Sequence, residues 1–253
     1  MEAVQIGSSF TEVPGRADID PRISYPSYVP LDNFIDVERL RSLDGYIRER
    51  INAHIDRSND PLFLNLHRLN KDSAYQPGVR EIWLSRTLPG TPYNYLDLDR
   101  TELWQPTEAA EEFAELMQFI ATLPFERTGR IILIYDDGQH SCEVPAHQDH
   151  TKTNICHEFI WMRTNLKKPF YVLDHMSGRK EYVSSYSAWF DTVNQFHGSD
   201  AADEMTFSIR VDGHFTDEFR SQIPWTDNNV ASTPALWASL LKSSARFTHG
   251  GRQ

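Results

Sequence analysis

The sequence predicts a mainly β chain with flanking helices, and three observations carry that expectation. Beyond Gly129, short runs rich in β-branched and aromatic residues recur at close intervals, at 130–135, 157–163, 169–173, 181–185, 188–193 and 205–211. Upstream, two segments repeat their apolar residues every three or four positions, which is the period of a helix. Polar, Gly and Pro residues punctuate the short runs. Strand-like runs at this spacing suit a sandwich or a jelly-roll barrel.

In chain order, the first 35 residues hold Pro14, Pro21, Pro26 and Pro30 among scattered aromatics, which predicts an extended arm lying over the body. Val37, Leu40, Leu43, Ile47, Ile51 and Ile55 then mark one amphipathic helix from Asp36 to about Asp56. Residues 62–66 and 81–86 read as strands. A second helix opens at Pro106 and Thr107 and ends near Pro124. Glu108, Glu111 and Glu112 sit where its positive end favours acids, and Phe113, Leu116, Phe119 and Ile120 form its apolar stripe. After the strand series, residues 234–242 predict a closing helix. The chain shows no internal repeat and no low-complexity tract.

With 253 residues, 40% of them hydrophobic and 24% charged, the chain has the composition of a globular protein able to bury a sizeable core. One domain spanning 1–253 is the simplest organisation. A net charge of −11 argues against binding nucleic acid, whose phosphates require a concentrated excess of Lys and Arg. It also fits a cationic substrate drawn by long-range attraction, though simple dispersal by repulsion is the readier account. Two cysteines allow at most one disulfide, no apolar segment near Met1 resembles a secretory signal, and the apolar runs fall far short of the ~20 residues needed to span a bilayer. A cytoplasmic protein without a membrane partner is expected. Its oligomeric state has no signature in the sequence.

The chemistry concentrates after residue 140. In Val144-Pro145-Ala146-His147-Gln148-Asp149-His150, alternation along an extended chain puts His147 and Asp149 on one face, within reach of a single metal ion. Downstream, the apolar run at 189–196 leads to His197, which is followed by Gly198. Two imidazoles and one carboxylate form the facial triad of non-haem Fe(II) sites, with positions left open for co-substrate and oxygen. A structural zinc site would close its tetrahedron with a fourth protein ligand. Arg210, in the run at 205–211, adds a guanidinium able to grip a carboxylate in two-pronged fashion, and Ser208 shares its strand face. A dicarboxylic co-substrate chelating the metal at one end would need such a partner at the other, with Ser208 or Thr206 assisting.

The order His147-x-Asp149, His197, Arg210 resembles that of the Fe(II)/2-oxoglutarate-dependent dioxygenases, over residues 129–213. The resemblance implies a double-stranded β-helix core (jelly-roll, cupin-like) at 129–213 carrying the metal site. Residues 1–128 would be an N-terminal helix and strand elaboration, and 214–253 a C-terminal extension with a helix. It implies Fe(II) held by His147, Asp149 and His197, with 2-oxoglutarate and O2 as co-substrates. Within that superfamily, the run from His147 to His157, including Thr153-Asn154, and the segment Phe190-Asp191…His197-Gly198 are most similar to the aspartyl/asparaginyl β-hydroxylase-like branch. In that branch an Arg soon after the first ligand helps to bind the co-substrate. Cys156, His157 and Glu158 occupy the comparable place here, so His157 or Arg163 would substitute. Halogenating relatives replace the carboxylate ligand with a small residue, so Asp149 favours hydroxylation, or a desaturation or cyclisation from the same oxidant. The expected substrate is a small polar molecule, such as an amino acid or a specialised metabolite. The alternatives are a residue within a protein, or a non-catalytic jelly roll that binds a ligand.

Simpler readings apply to single residues. An H-x-D alone arises often by chance, and the joint pattern carries the weight. Cys142, His147, Cys156 and His157 can be drawn as a zinc set, but their spacing fits no compact zinc motif. Asp136-Asp137-Gly138 reads as a turn. Tyr135 and Trp161 belong either to the core or to a pocket wall, and Arg163 either to a substrate or to a surface ion pair.

Overall fold

A computed structural model describes residues 28–55, 67–69, 79–98, 100–138, 141, 143–149, 157–173, 178–190, 192 and 196–222. The expected strand at 62–66, the closing helix at 234–242 and most of the N-terminal arm lie outside them. So do Cys142, His150 and Cys156.

The strands are β1 (Val29–Pro30), β2 (His67–Leu69), β3 (Val79–Trp83), β4 (Ser85–Thr87), β5 (Trp104–Pro106), β6 (Phe125–Asp136), β7 (Val144–His147), β8 (Phe159–Arg163), β9 (Phe170–Leu173), β10 (Lys180–Tyr182), β11 (Ser187–Trp189), β12 (His197–Ser199) and β13 (Thr206–Phe215). The helices are α1 (Val37–Ile55), α2 (Glu108–Glu112), α3 (Ala114–Ile120) and α4 (Asp217–Gln222). A seven-stranded sheet has the order β1-β11-β8-β13-β6-β3-β2, a four-stranded sheet the order β10-β9-β12-β7, and β4 pairs with β5 alone. All pairings among the described residues are antiparallel. From β6 to β13 the chain passes between the two main sheets, laying β6, β8, β11 and β13 in one and β7, β9, β10 and β12 in the other. This is the winding of a double-stranded β-helix, and the mainly β jelly roll is the fold of the chain.

Alternation along the central strands separates two environments. Ile131 and Leu133 of β6, Ile160 and Met162 of β8, and Ile209 and Val211 of β13 are buried in one apolar core with Leu40, Leu43, Ile47 and Ile51 of α1 and Leu116, Phe119 and Ile120 of α3. The intervening residues Ile132, Trp161, Arg163, Ser208 and Arg210 face a cavity between the sheets. Gly45 in the middle of α1 costs the helix about 1 kcal/mol relative to Ala. Each buried Leu or Ile contributes about 1.5–3 kcal/mol, so packing on the sheet, rather than intrinsic propensity, holds α1.

Several elements depart from the sequence expectation, each for a local reason. The second helix breaks at Phe113, whose backbone leaves helical geometry at φ −103° and ψ 41°. The Tyr46 hydroxyl inserts there, donating to the Glu112 carbonyl at 3.1 Å and accepting from the Glu115 N–H at 3.4 Å, which interrupts the ladder. The run at 81–86 is two strands, because Leu84 turns away to give its N–H to Ile131 and its carbonyl to Thr107. Strand β13 extends four residues past the expected end, and α4 follows it. Buried Glu158 joins these parts, accepting from Phe215 N–H at 2.6 Å and from Arg220 Nε at 2.6 Å. At the other margin, β1 pairs with β11, and Asp32 accepts from Ser187 N–H at 2.7 Å.

Asp44 of α1 ties the helix layer to the end of β8. It accepts from Asn165 Nδ2 at 2.7 Å, from Thr164 Oγ1 and from Arg48 at 3.0 Å. Burial opposes its charge, but these donors prevail and lower its pKa below the ordinary 3.8. A depressed folded-state pKa contributes stability above the unfolded value, and that contribution is lost as pH falls through the folded pKa. Chemical denaturation at a series of pH values will therefore show Asp44→Asn less stable than wild type at neutral pH. The two will converge as pH drops below about 4.

Candidate metal site

His147 closes β7, which among the described residues is an edge strand of the four-stranded sheet, a place where the missing N–H of Pro145 is tolerated. Opposite lies β12, where His197 pairs with His147 but Ser199 pairs with Val144. Two steps along β12 thus match three along β7, a β-bulge of the kind that re-aims a side chain beside a functional site. The bulge lets both Val144 and His147 line the cavity, which strict alternation would forbid. Gly198 stands at the bulge. A Cβ there would lie 2.4 Å from the Val144 carbonyl oxygen and 2.6 Å from Tyr171 Oη.

The imidazoles of His147 and His197 lie 4.5 Å apart between ring centroids. The His147 ring bonds through Nδ1 to the Pro145 carbonyl at 2.9 Å, which places the proton on Nδ1 and leaves the Nε2 lone pair free for a metal. His197 is buried, flanked by Phe190 at 5.3 Å and Phe170 at 6.1 Å. Asp149 is fixed by its N–H bond to the Thr192 carbonyl at 2.9 Å, and its Oδ1 lies 3.2 Å from His197 Nε2 and 3.7 Å from His147 Nε2. One ligand atom from each of His147, Asp149 and His197 falls within 4.8 Å of the others. Their ionisation suits a cation. Burial, helped by His197, lowers the His147 pKa. Burial would raise that of Asp149, but His197, Arg210 and His147 outweigh it and hold the carboxyl well below its usual range. A neutral imidazole and an ionised carboxylate are the forms that bind a divalent metal, so the donor set fits such an ion.

The cavity holds about 330 Å³. Ile132, Ile134, Trp161, Phe170 and Phe190 form its apolar walls, and Tyr135 lines it too. Arg163 and Ser208 are register partners on β8 and β13, and both face it, as does Thr206 one repeat along. Arg163 is buried rather than on the surface, donating to the carbonyls of Ser185 at 3.1 Å, of Lys168 at 3.2 Å and of Val183. Burial pulls its pKa down to about 10, so it remains a cation at neutral pH. Among the described residues, no carboxylate lies within ion-pair distance of it. Arg210 is placed differently, against Asp149 Oδ2 at 2.9 Å and Asp212 Oδ1 at 2.8 Å. His157 is buried behind Tyr95, with ring centroids 5.2 Å apart, and stands outside the cavity lining.

Four polar residues at the site were not singled out from the sequence. Asp212 and Arg130 are buried and paired at 3.0 Å, and Lys168 pairs with Asp136, the register partner of Thr206, at the end of the cavity away from His147, Asp149 and His197. Tyr95 donates to Asp149 Oδ2 at 2.9 Å. Alternation would have marked Asp212, which shares a strand face with Arg210. Tyr95 sits in a short 3-10 turn with no periodicity to reveal it. Asp136-Asp137-Gly138 is the expected turn, with Gly138 at φ 75° and its N–H bonded to Asp136 at 3.0 Å.

No family model and no curated protein matches the chain. Solved structures similar to it include a Pseudomonas putida prolyl-4-hydroxylase, with a TM-score of 0.42, 11% identity, and coverage of 74% of this chain and 91% of the other. Another is a Trichoplax adhaerens prolyl hydroxylase in complex with a hypoxia inducible factor peptide, with a TM-score of 0.42, 10% identity, and coverage of 78% and 86%. KdgF from Halomonas sp. has a TM-score of 0.28, 13% identity, and coverage of 60% and 94%. At such scores the site rests on its own geometry. Among the described residues, no helix is long and apolar enough to cross a membrane.

Gly198 offers a direct test. Gly198→Ala will push β12 from β7 and separate His197 from His147. Metal titration by calorimetry will then show divalent-ion affinity reduced by about tenfold or more, and thermal melting will show a lower Tm.

Proposed function

We propose that this protein is an Fe(II)- and 2-oxoglutarate-dependent oxygenase that hydroxylates an unactivated C–H bond of a small polar molecule, such as an amino acid or a specialised metabolite. The observation that carries this reading is the meeting of His147, Asp149 and His197 at one end of a cavity between the two sheets of a double-stranded β-helix. Three protein ligands would leave an ion held there positions open towards the cavity. When bound, Fe(II) with 2-oxoglutarate supplies an oxidation in which O2 takes two electrons from the oxo acid and two from the C–H bond, giving succinate, CO2 and the alcohol.

The remaining work falls to side chains of this chain. Arg163 is the anchor for the distal carboxylate of 2-oxoglutarate. It is a buried cation facing the cavity, and a carboxylate there would supply the counter-charge that backbone carbonyls provide only as dipoles. Ser208, its register partner, and Thr206 add hydroxyls on the same face. Ser208 stands two residues, about 7 Å of strand, from Arg210 beside Asp149, a separation that suits a five-carbon diacid reaching from the ion to Arg163. Ile132, Ile134, Trp161 and Phe170 exclude water from the space between. A cavity of about 330 Å³ accommodates small molecules. The likeness to the aspartyl/asparaginyl β-hydroxylase-like branch belongs to this proposal through Phe190, His197 and Gly198, which all line the cavity.

Purified protein given Fe(II), O2 and 2-oxoglutarate is expected to release succinate slowly without substrate, and His147→Ala to abolish the release. Arg163→Met is expected to raise the KM for 2-oxoglutarate by about tenfold or more. If wild type and His147→Ala were equally inert yet still bound a small ligand, the protein would be a non-catalytic jelly-roll binder. Metal-dependent turnover that proceeds without O2 would make it a hydrolase.

A further inference from the structure

We infer that Asp212, acting through Arg210 and together with Tyr95, assigns the two oxygens of Asp149 to different tasks, leaving Oδ1 for a metal ion and tying Oδ2 to the protein. The inference rests on the metal reading of His147, Asp149 and His197 given above.

The two oxygens have unlike surroundings. Oδ1 faces the imidazoles, 3.2 Å from His197 Nε2 and 3.7 Å from His147 Nε2. Oδ2 accepts from Arg210 Nη1 at 2.9 Å and from the Tyr95 hydroxyl at 2.9 Å. With Oδ2 engaged twice, the carboxylate can give a metal one oxygen and not two. A chelating carboxylate would occupy an additional coordination position, one that an oxygenase needs for its co-substrate or O2. Tyr95 is itself steadied by Thr192, whose Oγ1 lies 3.1 Å from the hydroxyl and whose carbonyl holds the Asp149 N–H.

Arg210 makes this arrangement rigid. Its Nε and Nη2 both donate to Asp212 Oδ1, at 2.9 and 2.8 Å, and its guanidinium lies over the Phe159 ring, 4.1 Å from the centroid. Asp212 is fully buried, and its other oxygen accepts from Arg130 Nε at 3.0 Å. The charges thus alternate along one line, Arg130, Asp212, Arg210, Asp149, the first three of them buried. Turning Arg210 towards the depth of the cavity would break its bond to Asp149 and leave the fully buried Asp212 without two of its donors. Asp212 and Arg210 are therefore positioning residues for the ligand, and Arg163 is left as the cation for a diacid.

The test uses Co(II) as the probe, titrated into metal-free protein and followed by its visible absorption, alongside the KM for 2-oxoglutarate in succinate release. Arg210→Met is expected to raise the Co(II) Kd by about tenfold or more and to shift the absorption band, with the KM for 2-oxoglutarate raised far less than by Arg163→Met. Asp212→Asn and Tyr95→Phe are expected to change the Kd and the band in the same direction by smaller factors. An Arg210→Met protein with unchanged Kd and band but a raised KM would overturn the inference and make Arg210 the diacid anchor. If circular dichroism shows that the variants of the buried Arg210 and Asp212 do not fold, Tyr95→Phe decides alone, and an unchanged Kd and band there would overturn the inference. Failure of wild type to bind Co(II) would instead remove the metal reading itself.

Discussion

Strand β13 runs between β6 and β8 with Ile209 and Val211 sunk into the helix-covered core, while Thr206, Ser208 and Arg210 face the cavity. A slip of one residue would exchange these two sets, placing a guanidinium under α1 and an isoleucine beside His147, Asp149 and His197. The apolar face prevents that slip. Burying it against Leu40, Ile47 and Phe119 fixes the register, and the register in turn sets the depth of every polar group in the cavity. The site is therefore a consequence of core packing on the opposite face of the same strands.

The polar side of the sheet is stable only because its charges are arranged in order. An isolated buried ion would be neutralised or would unfold its surroundings. Here Arg130, Asp212, Arg210 and Asp149 compensate one another, and Lys168 meets Asp136. Arg163 differs, since its described bonds run to main-chain carbonyls that are dipoles rather than charges. The same preorganisation serves ligand binding, because groups already held in place lose little freedom when a ligand arrives.

Much of the fold was legible because periodicity is a local property. The α1 helix from 37 to 55 and the strands at 159–163 and 170–173 match their apolar patterns closely. The break at Phe113 was not legible, because its cause is the hydroxyl of Tyr46, distant in sequence. Nor was the division of 81–86 between two sheets, which depends on Leu84 bonding to Ile131 and Thr107. Within the site, the H-x-D pair was legible as a short motif. The bulge that lets Val144 and His147 face inward together was not, since it exists only in the pairing of β7 with β12.

By itself the sequence determined which residues had the chemistry for a metal site and which strand faces were apolar. Donor type and alternation are written in neighbouring residues, and so His147, Asp149, His197 and Arg210 could be named as a set. Only the tertiary structure decided what Arg210 touches. Asp212 shares the strand face of Arg210, but Asp149 follows β7 of the other sheet, so that contact exists only because the two sheets pack together. It also decided that Tyr95, from a turn far from the strands that bear the ligands, completes the surroundings of Asp149. Contacts between distant segments arise from the packing of whole sheets and helices, which no local pattern encodes.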